Sequence, residues 1–447
     1  MFSTKEIAQV TNGKLVGDDV SISSVSSDTR TIKKGALFIA INGERFDGND
    51  FIKQAAAAGA AAAISDMPAG SVKTDIPVIY VGNSRTAQLM LARYYRSKFD
   101  IPLCGVTGSV GKTSTKDMIY AVLSAKFNTL KTEGNFNNEI GLPQTLFRLN
   151  EEMGAAVIEM GMSDRGEISM LSKTAMPDCC VITNIGYCHI EQLKTRENIL
   201  AAKMEILDGA TCIAPLIVCG DDEYLSKVNP DCRVVRYGMS AANDVYADNV
   251  RQSENAMEFT VHYKGKSYDA RVPAVGEHHV LNALAAFAVG IEYGMTPEEI
   301  VPAFMNYEGS GLRQKIEKRG DVTVILDCYN ASPTSMPSAL KVLGSMKGHK
   351  VAVLGDMLEL GEQSKALHAG LADVVSANAE LIFLYGREMH ALAAELSKRG
   401  VSVFHSENKE QLTKMLIENI KSGDVILFKG SRGMKMEEIA DKIGGKS

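Results

Sequence analysis

The chain contains no CxxC pair, no apolar run long enough to cross a membrane and no excess of basic charge. Each absence removes a class of function. The eight cysteines among 447 residues are scattered, and Cys104, Cys179, Cys180 and Cys219 fall in apolar, strand-like runs. That pattern argues against a zinc or thioredoxin-like site and for buried free thiols in a reducing compartment. The longest stretch poor in polar residues, Ala55 to Ile64, is built of small residues and falls well short of the roughly 20 residues of a spanning helix. A net charge of −6 gives no electrostatic ground for binding nucleic acid or an anionic membrane surface. A few local amides and cations can still hold phosphate. The amphipathic start, MFSTKEIAQV, lacks the apolar centre of a signal peptide, and no segment repeats at a solenoid period. A cytoplasmic protein is expected.

What is present is the composition of a globular protein, 45% hydrophobic and 23% charged. The length implies about three domains. ALFIAI and IPVIYV read as strands, with helices at NDFIKQAAAAGA and RTAQLMLARYYRSKF. The pattern restarts near Ile101, where AAVIEM and CCVITNI alternate with the helices KDMIYAVLSAKF, EISMLSKTA and ENILAAKMEIL. Strand–helix alternation predicts a mostly parallel sheet covered on both faces. MEFTVHYKGKSYDARV instead reads as an antiparallel hairpin, and EGSGLRQ as a hinge. A third alternating unit follows, with strands VTVILD, KVAVLG, LIFLYG, VSVFHS and DVILFKG, a doubly wound Rossmann-like arrangement. The expected fold is therefore α/β in three domains, residues 1–99, 100–311 and 312–447.

The most informative stretch is LCGVTGSVGKTST, Leu103 to Thr115. An apolar strand runs into glycines and Gly111-Lys112-Thr113, and a helix follows, as in phosphate-binding loops. The usual opening glycine is replaced by Val106. In this geometry backbone N–H groups and the helix N-terminus face an anion, Lys112 reaches the outer phosphates, and the Thr113 hydroxyl faces Mg2+. Glu159 closes a strand downstream, where a metal-bridging carboxylate belongs, although a carboxylate there also serves solubility. His189 follows the next strand, and such a histidine is commonly only packed. Lys203 on its helix reads as a lysine snorkelling from a half-buried face. Asp327, Tyr329 and Asn330 in DCYNASP could bind ribose, stack on a base and form a turn, and turn chemistry alone also explains the string.

Taken together, TGSVGKTST, EGNFNNEIGLP, IEMG, CHIEQL, AAKMEIL, HHVLNALAA, GLRQ and DCYNASP resemble the Mur ligases, ATP-dependent amide-forming enzymes of peptidoglycan precursor synthesis. The family's loop, Thr-Gly-x-x-Gly-Lys-Thr, accommodates Val106. The resemblance implies a central P-loop ATPase domain that holds ATP through Gly108, Ser109, Val110, Gly111, Lys112, Thr113 and Ser114. It implies Mg2+ on Thr113 and Glu159, and a second Mg2+ on His189 and a carbamylated Lys203. Asn282 and Tyr329 would contact adenine, and Arg313 and Asp327 the phosphates or ribose. SSDTRTIKKGALFIAINGERFDGNDF resembles a uridine-nucleotide-binding domain, with Ser27, Asp28, Thr29 and Arg30 at the uridine end and Asn137 and Asn138 along the substrate path. Lys112, Glu159, His189 and Lys203 would carry the catalysis.

VLGDMLELGE and KGSRGMKMEEI resemble the family member that adds D-alanyl-D-alanine to a UDP-N-acetylmuramoyl tripeptide, and the Asp-Asn-Pro-Arg string of the ligase for the third residue is missing. These substrates are the expected partners, and a monomer is the expected state. A sister ligase adding one amino acid, a folylpolyglutamate-type synthetase, a phosphotransferase and a P-loop switch protein are the competing readings. The switch alone predicts that Lys203 and His189 are dispensable.

Overall fold

The computed structural model describes residues 1–443 apart from 44, 45, 254 and 310. Ser310, within the expected EGSGLRQ hinge, lies outside the described residues. Three large sheets, each with its own helices, and one two-stranded pairing make a three-domain α/β architecture.

The first sheet runs Lys14–Val16, Val78–Tyr80, Ala60–Ser65, Ala36–Ile39, Ser24–Ser26. It is parallel except at the Lys14 edge. AAAAIS forms a buried strand because its small side chains let helices pack closely on the sheet. The short pairing of Phe2–Ser3 with Ser21–Ile22 has no clear signature in the sequence.

The central sheet has nine strands. Leu103–Thr107 lies between Ala155–Glu159 and Cys179–Ile182, with Thr129–Lys131 at one edge. All three inner strands are apolar and buried throughout, as strands covered on both faces must be. The chain leaves Leu103–Thr107 in one direction and returns on its other side, so the strand lies at a switch point, where a crevice opens beyond the carboxyl ends. The expected hairpin, Met257–Tyr263 with Lys266–Val272, continues this same sheet through Val245–Gln252.

The third sheet runs Lys315–Arg319, Val322–Asp327, Val425–Lys429, Lys350–Gly355, Leu381–Tyr385, Phe404–Ser406. The sequence reading places its five parallel strands but misses the antiparallel edge, KIEKR, whose alternating charges hide a strand half exposed to solvent. Among the described residues no helix is long and apolar enough to cross a membrane.

Candidate active site

The phosphate-type loop leaves the Leu103–Thr107 strand and enters the Lys112–Leu123 helix. Two of its positions demand glycine. Gly111 has φ +82° at the helix start, and Gly108 has φ +150° against Thr183, where a Cβ would collide with the hydroxyl. The loop is tied to the next strand end. The Val110 N–H donates to Asn184 Oδ1 (3.0 Å), while Asn184 Nδ2 (2.9 Å) and Thr183 Oγ1 (2.6 Å) donate to the Val110 carbonyl. Ser109 Oγ accepts from the Gly186 N–H at 2.8 Å. Thr183 and Asn184 have no recognisable signal in the sequence, because their role exists only once the two strands are side by side.

Lys112 Nζ folds back on the Gly108 carbonyl at 2.8 Å. Thr113 Oγ1 donates to Glu159 Oε2 at 2.7 Å, and Asn137 Nδ2 donates to Glu159 Oε1 at 2.8 Å. The Glu159 N–H donates in turn to Thr132 Oγ1. Thr113 and Glu159 are both buried. A hydroxyl and a carboxylate held together beside an anion-binding loop form a hard-oxygen donor set of the kind Mg2+ prefers.

Lys203 is 1% exposed, and its side-chain amine makes no hydrogen bond or ion pair with another described residue. Burial holds its amine well below the ordinary lysine range, the Lys112 ammonium pushes the same way, and Cys188 opposes both weakly. His189 has a positive φ of 62° and its Nδ1 lies 2.8 Å from Glu359 Oε2 of the third sheet's loops. The hydrogen bond from His189 lowers the Glu359 carboxyl pKa against the effect of burial.

Facing the loop across a cavity of about 450 Å3 are groups from the third sheet and from the His278–Glu292 helix. Ser109, Val110, Gly111, Lys112, Ser114, Asn137, Glu159, Asn282, Arg313, Asp327 and Tyr329 all line it. The Arg313 guanidinium sits 4.0 Å over the Tyr329 ring. Asn282 Oδ1 accepts from Thr115 Oγ1 at 2.9 Å, but its buried Nδ2 finds no partner among the described residues. His279, one helical turn away and 5% exposed, has an equally unpartnered Nδ1. Such orphans are costly unless a ligand satisfies them. Lys429 and His279 also line the cavity, and neither stands out in the sequence.

Gly108, Thr113, Asn138, His189 and Lys203 are not cavity-lining. Asn138 is occupied locally, its Oδ1 accepting from the Gly141 and Ile140 N–H groups. Ser27, Asp28, Thr29 and Arg30 lie on the first domain. There Asp28 and Arg30 pair with each other at 2.7 Å, and Ser27 Oγ accepts from Gln144 of the central domain at 2.6 Å. Asn49, in the same domain, is buried in a closed network with Asp47, Ser65 and Asp66.

A loop at a sheet switch point, a hydroxyl–carboxylate pair and a facing wall carrying Arg313, Asp327 and Tyr329 define a nucleotide-dependent enzyme site. Residues 21–94, 106–290 and 313–432 match, in turn, the Mur ligase family catalytic domain, the Mur ligase middle domain, and the Mur ligase glutamate ligase domain. The chain belongs to the Mur ligase family. Among its relatives is the UDP-N-acetylmuramoyl-tripeptide–D-alanyl-D-alanine ligase of Bacillus subtilis strain 168, 40% identical over 99% of this chain and 98% of that protein. The MurF crystal structure from Acinetobacter baumannii superposes with a TM-score of 0.92 at 30% identity, covering 100% and 99% of the two chains. MurF from Thermotoga maritima in complex with ADP superposes with a TM-score of 0.84 at 29% identity, covering 94% and 96%.

Proposed function

We propose that this protein joins D-alanyl-D-alanine to the peptide carboxylate of UDP-N-acetylmuramoyl tripeptide in the cytoplasm, consuming ATP and releasing ADP and phosphate. The observation that carries the reading is the shared cavity: the loop of one domain faces Arg313, Asp327 and Tyr329 of the next. Full-length likeness to ligases of that name supports the choice of substrates. Our division of labour is uridine-nucleotide binding by residues 1–99, ATP binding by 100–311, and completion of the site by 312–447.

When bound, ATP and Mg2+ supply the phosphoryl group and charge neutralisation that turn an unreactive carboxylate into an acyl phosphate. The residues fit them: the orphaned Asn282 amide can take an adenine acceptor, and Thr113 with Glu159 offers hard oxygens. Lys112 exchanges its loop carbonyls for the outer phosphate oxygens, and the N–H groups at the helix start, from Gly111 to Thr113, hold them, while those of Ser109 and Val110 stay bonded to Asn184. Arg313 and Asp327 grip phosphate and ribose, and Tyr329 stacks on the base. His189 and Lys203 would hold a second Mg2+. The neutral amine that burial favours at Lys203 is the form that adds carbon dioxide, giving a carbamate anion and a proton. Closure of the cavity walls keeps water from the acyl phosphate until the dipeptide amine attacks.

The test is phosphate release by the purified chain with ATP, Mg2+ and UDP-muramoyl tripeptide, comparing D-alanyl-D-alanine with single amino acids. Turnover that needs the dipeptide and yields a UDP-muramoyl pentapeptide is the expected result. Turnover with one amino acid on a shorter precursor would assign a sister reaction instead.

A further inference from the structure

Lys429 ends the strand Val425–Lys429, whose other residues are Val, Ile, Leu and Phe, and it is only 2% exposed. A lysine that merely closed an apolar strand would extend its amine to water. Here the strand lies in register with Val322–Asp327, so that Lys429 is paired with Asp327 across the parallel ladder. Its ammonium donates to Asp327 Oδ2 and, at 3.1 Å, to the backbone carbonyl of Asn330. Between those two acceptors in the chain lies Tyr329, whose ring carries the Arg313 guanidinium. One side chain, about a hundred residues downstream, therefore spans both ends of the segment that presents Asp327 and Tyr329 to the cavity.

We infer that Lys429 is a positioning residue for the nucleotide: it fixes the Asp327 carboxylate and the turn carrying Tyr329 so that both meet ATP without rearrangement. This rests on the reading that the cavity binds ATP. Burying an ammonium is costly in desolvation, and only a close anion and a second acceptor offset it. A methionine of similar length would fill the space but leave a carboxylate and a carbonyl without a donor, free to turn elsewhere. A lysine serving only as a strap would affect folding and every substrate alike. A positioning residue acts selectively on ATP.

The experiment uses the full chain with Lys429→Met, Lys429→Arg, Asp327→Asn and the Lys429→Met/Asp327→Asn double variant. ADP affinity is read by titration calorimetry, and KM is measured separately for ATP and for the uridine substrate. Lys429→Met is expected to weaken ADP binding about tenfold or more, the scale of a lost charge-assisted hydrogen bond. KM for ATP rises in parallel and KM for the uridine substrate does not move. Lys429→Arg recovers part of the affinity, and Asp327→Asn adds little once Lys429 is gone. Unchanged ADP affinity in Lys429→Met, additive effects in the double variant, or a common rise in both KM values would overturn the inference. Should Lys429→Met fail to fold, Lys429→Arg and Asp327→Asn decide by the same ADP titration, where unchanged affinity in both overturns it. Because the titration needs no turnover, wild type that fails to bind ADP removes the nucleotide reading itself. Wild type that binds ADP without ligating contradicts only the ligase assignment.

Discussion

The central domain meets its two neighbours in opposite ways. Toward the first domain, that domain's Arg96, 6% exposed, donates across the junction to the carbonyls of Ala175 (3.2 Å) and Ile101 (3.0 Å) and to Asp178 Oδ2 (3.3 Å), and within its own domain to the Phe99 carbonyl (2.6 Å). Tyr95 Oη donates to the Leu149 carbonyl and Gln88 Nε2 to that of Ile140. The donors Arg96, Tyr95 and Gln88 are buried and their partners are largely backbone carbonyls, so the bonds hold only in one arrangement. Toward the third domain the polar contacts are fewer: His189 with Glu359, whose side chain is 55% exposed, the Glu191 N–H to the Glu359 carbonyl at 3.3 Å, Gln314 Nε2 to the Val275 carbonyl, and Gln252 with Ser345 at 2.6 Å. The cavity lies at this second seam. A site that must admit a nucleotide and then exclude water belongs where separating the walls costs least. By this count the first domain is the more firmly tied, and the third is the wall whose separation breaks fewer polar bonds.

The largest effect that would break this comparison is at Arg96. Arg96→Met leaves three backbone carbonyls without their donor, and Asp178 keeps only its bond from the Leu103 N–H. A loss of about 2–4 kcal/mol in unfolding free energy is expected, at roughly 1 kcal/mol for each abandoned partner. Urea denaturation measures it, and ADP affinity in the folded variant should stay at the wild-type value. Equal damage to ADP binding would mean that the two junctions are mechanically one.

How much of this could be read in advance depended on whether a residue's role is local. The loop from Gly108 to Thr113, the strand closed by Glu159 and the DCYNASP segment carry their chemistry in consecutive residues, and Ser109 to Lys112, Glu159, Asp327 and Tyr329 from them line one cavity. The parallel strands of the third domain were equally legible, because an apolar run bounded by glycine has few other uses. Lys429 was not legible: VILFK looks like a strand ending at solvent, and only its neighbour in the ladder, Asp327, gives the lysine a purpose. Asn184 and His279 escaped for the same reason, since their partners or the lack of them appear only in three dimensions. Asn138 shows the converse, a motif residue whose side-chain oxygen is used up in capping its own turn.

A smaller effect should appear in the pH dependence of the cavity seam. Burial holds the His279 imidazole well below its ordinary pKa of 6.5, with His278 adding to the shift. Below about pH 6.5 the unfolded chain takes up a proton there that the folded chain refuses. The stability contribution is therefore complete above that pH and lost as the pH falls, by at most about 1.4 kcal/mol per pH unit for one proton. Between pH 5 and 6.5 the unfolding free energy of His279→Asn should fall less steeply than that of wild type. Parallel slopes would show that this side chain stays hydrated, and that the seam is open even at rest.

The smallest effect is expected at the exposed tie across the same seam. Glu359→Gln keeps the shape of the side chain and removes its charge. Because the Glu359 side chain is 55% exposed and water screens its pair with the less exposed His189, the loss at neutral pH should be within about 1 kcal/mol. Its sign with pH is fixed: the Glu359 carboxyl is lowered below its ordinary 4.5 by the hydrogen bond from His189. The stabilisation is present above that value and disappears as the pH falls through the folded one, so the wild-type and variant melting curves should converge in acid. A cost at neutral pH matching that of Arg96→Met would erase the distinction between a welded and a parting junction, since one half-exposed ion pair would then hold the third domain as firmly as the bonds of the buried Arg96 hold the first.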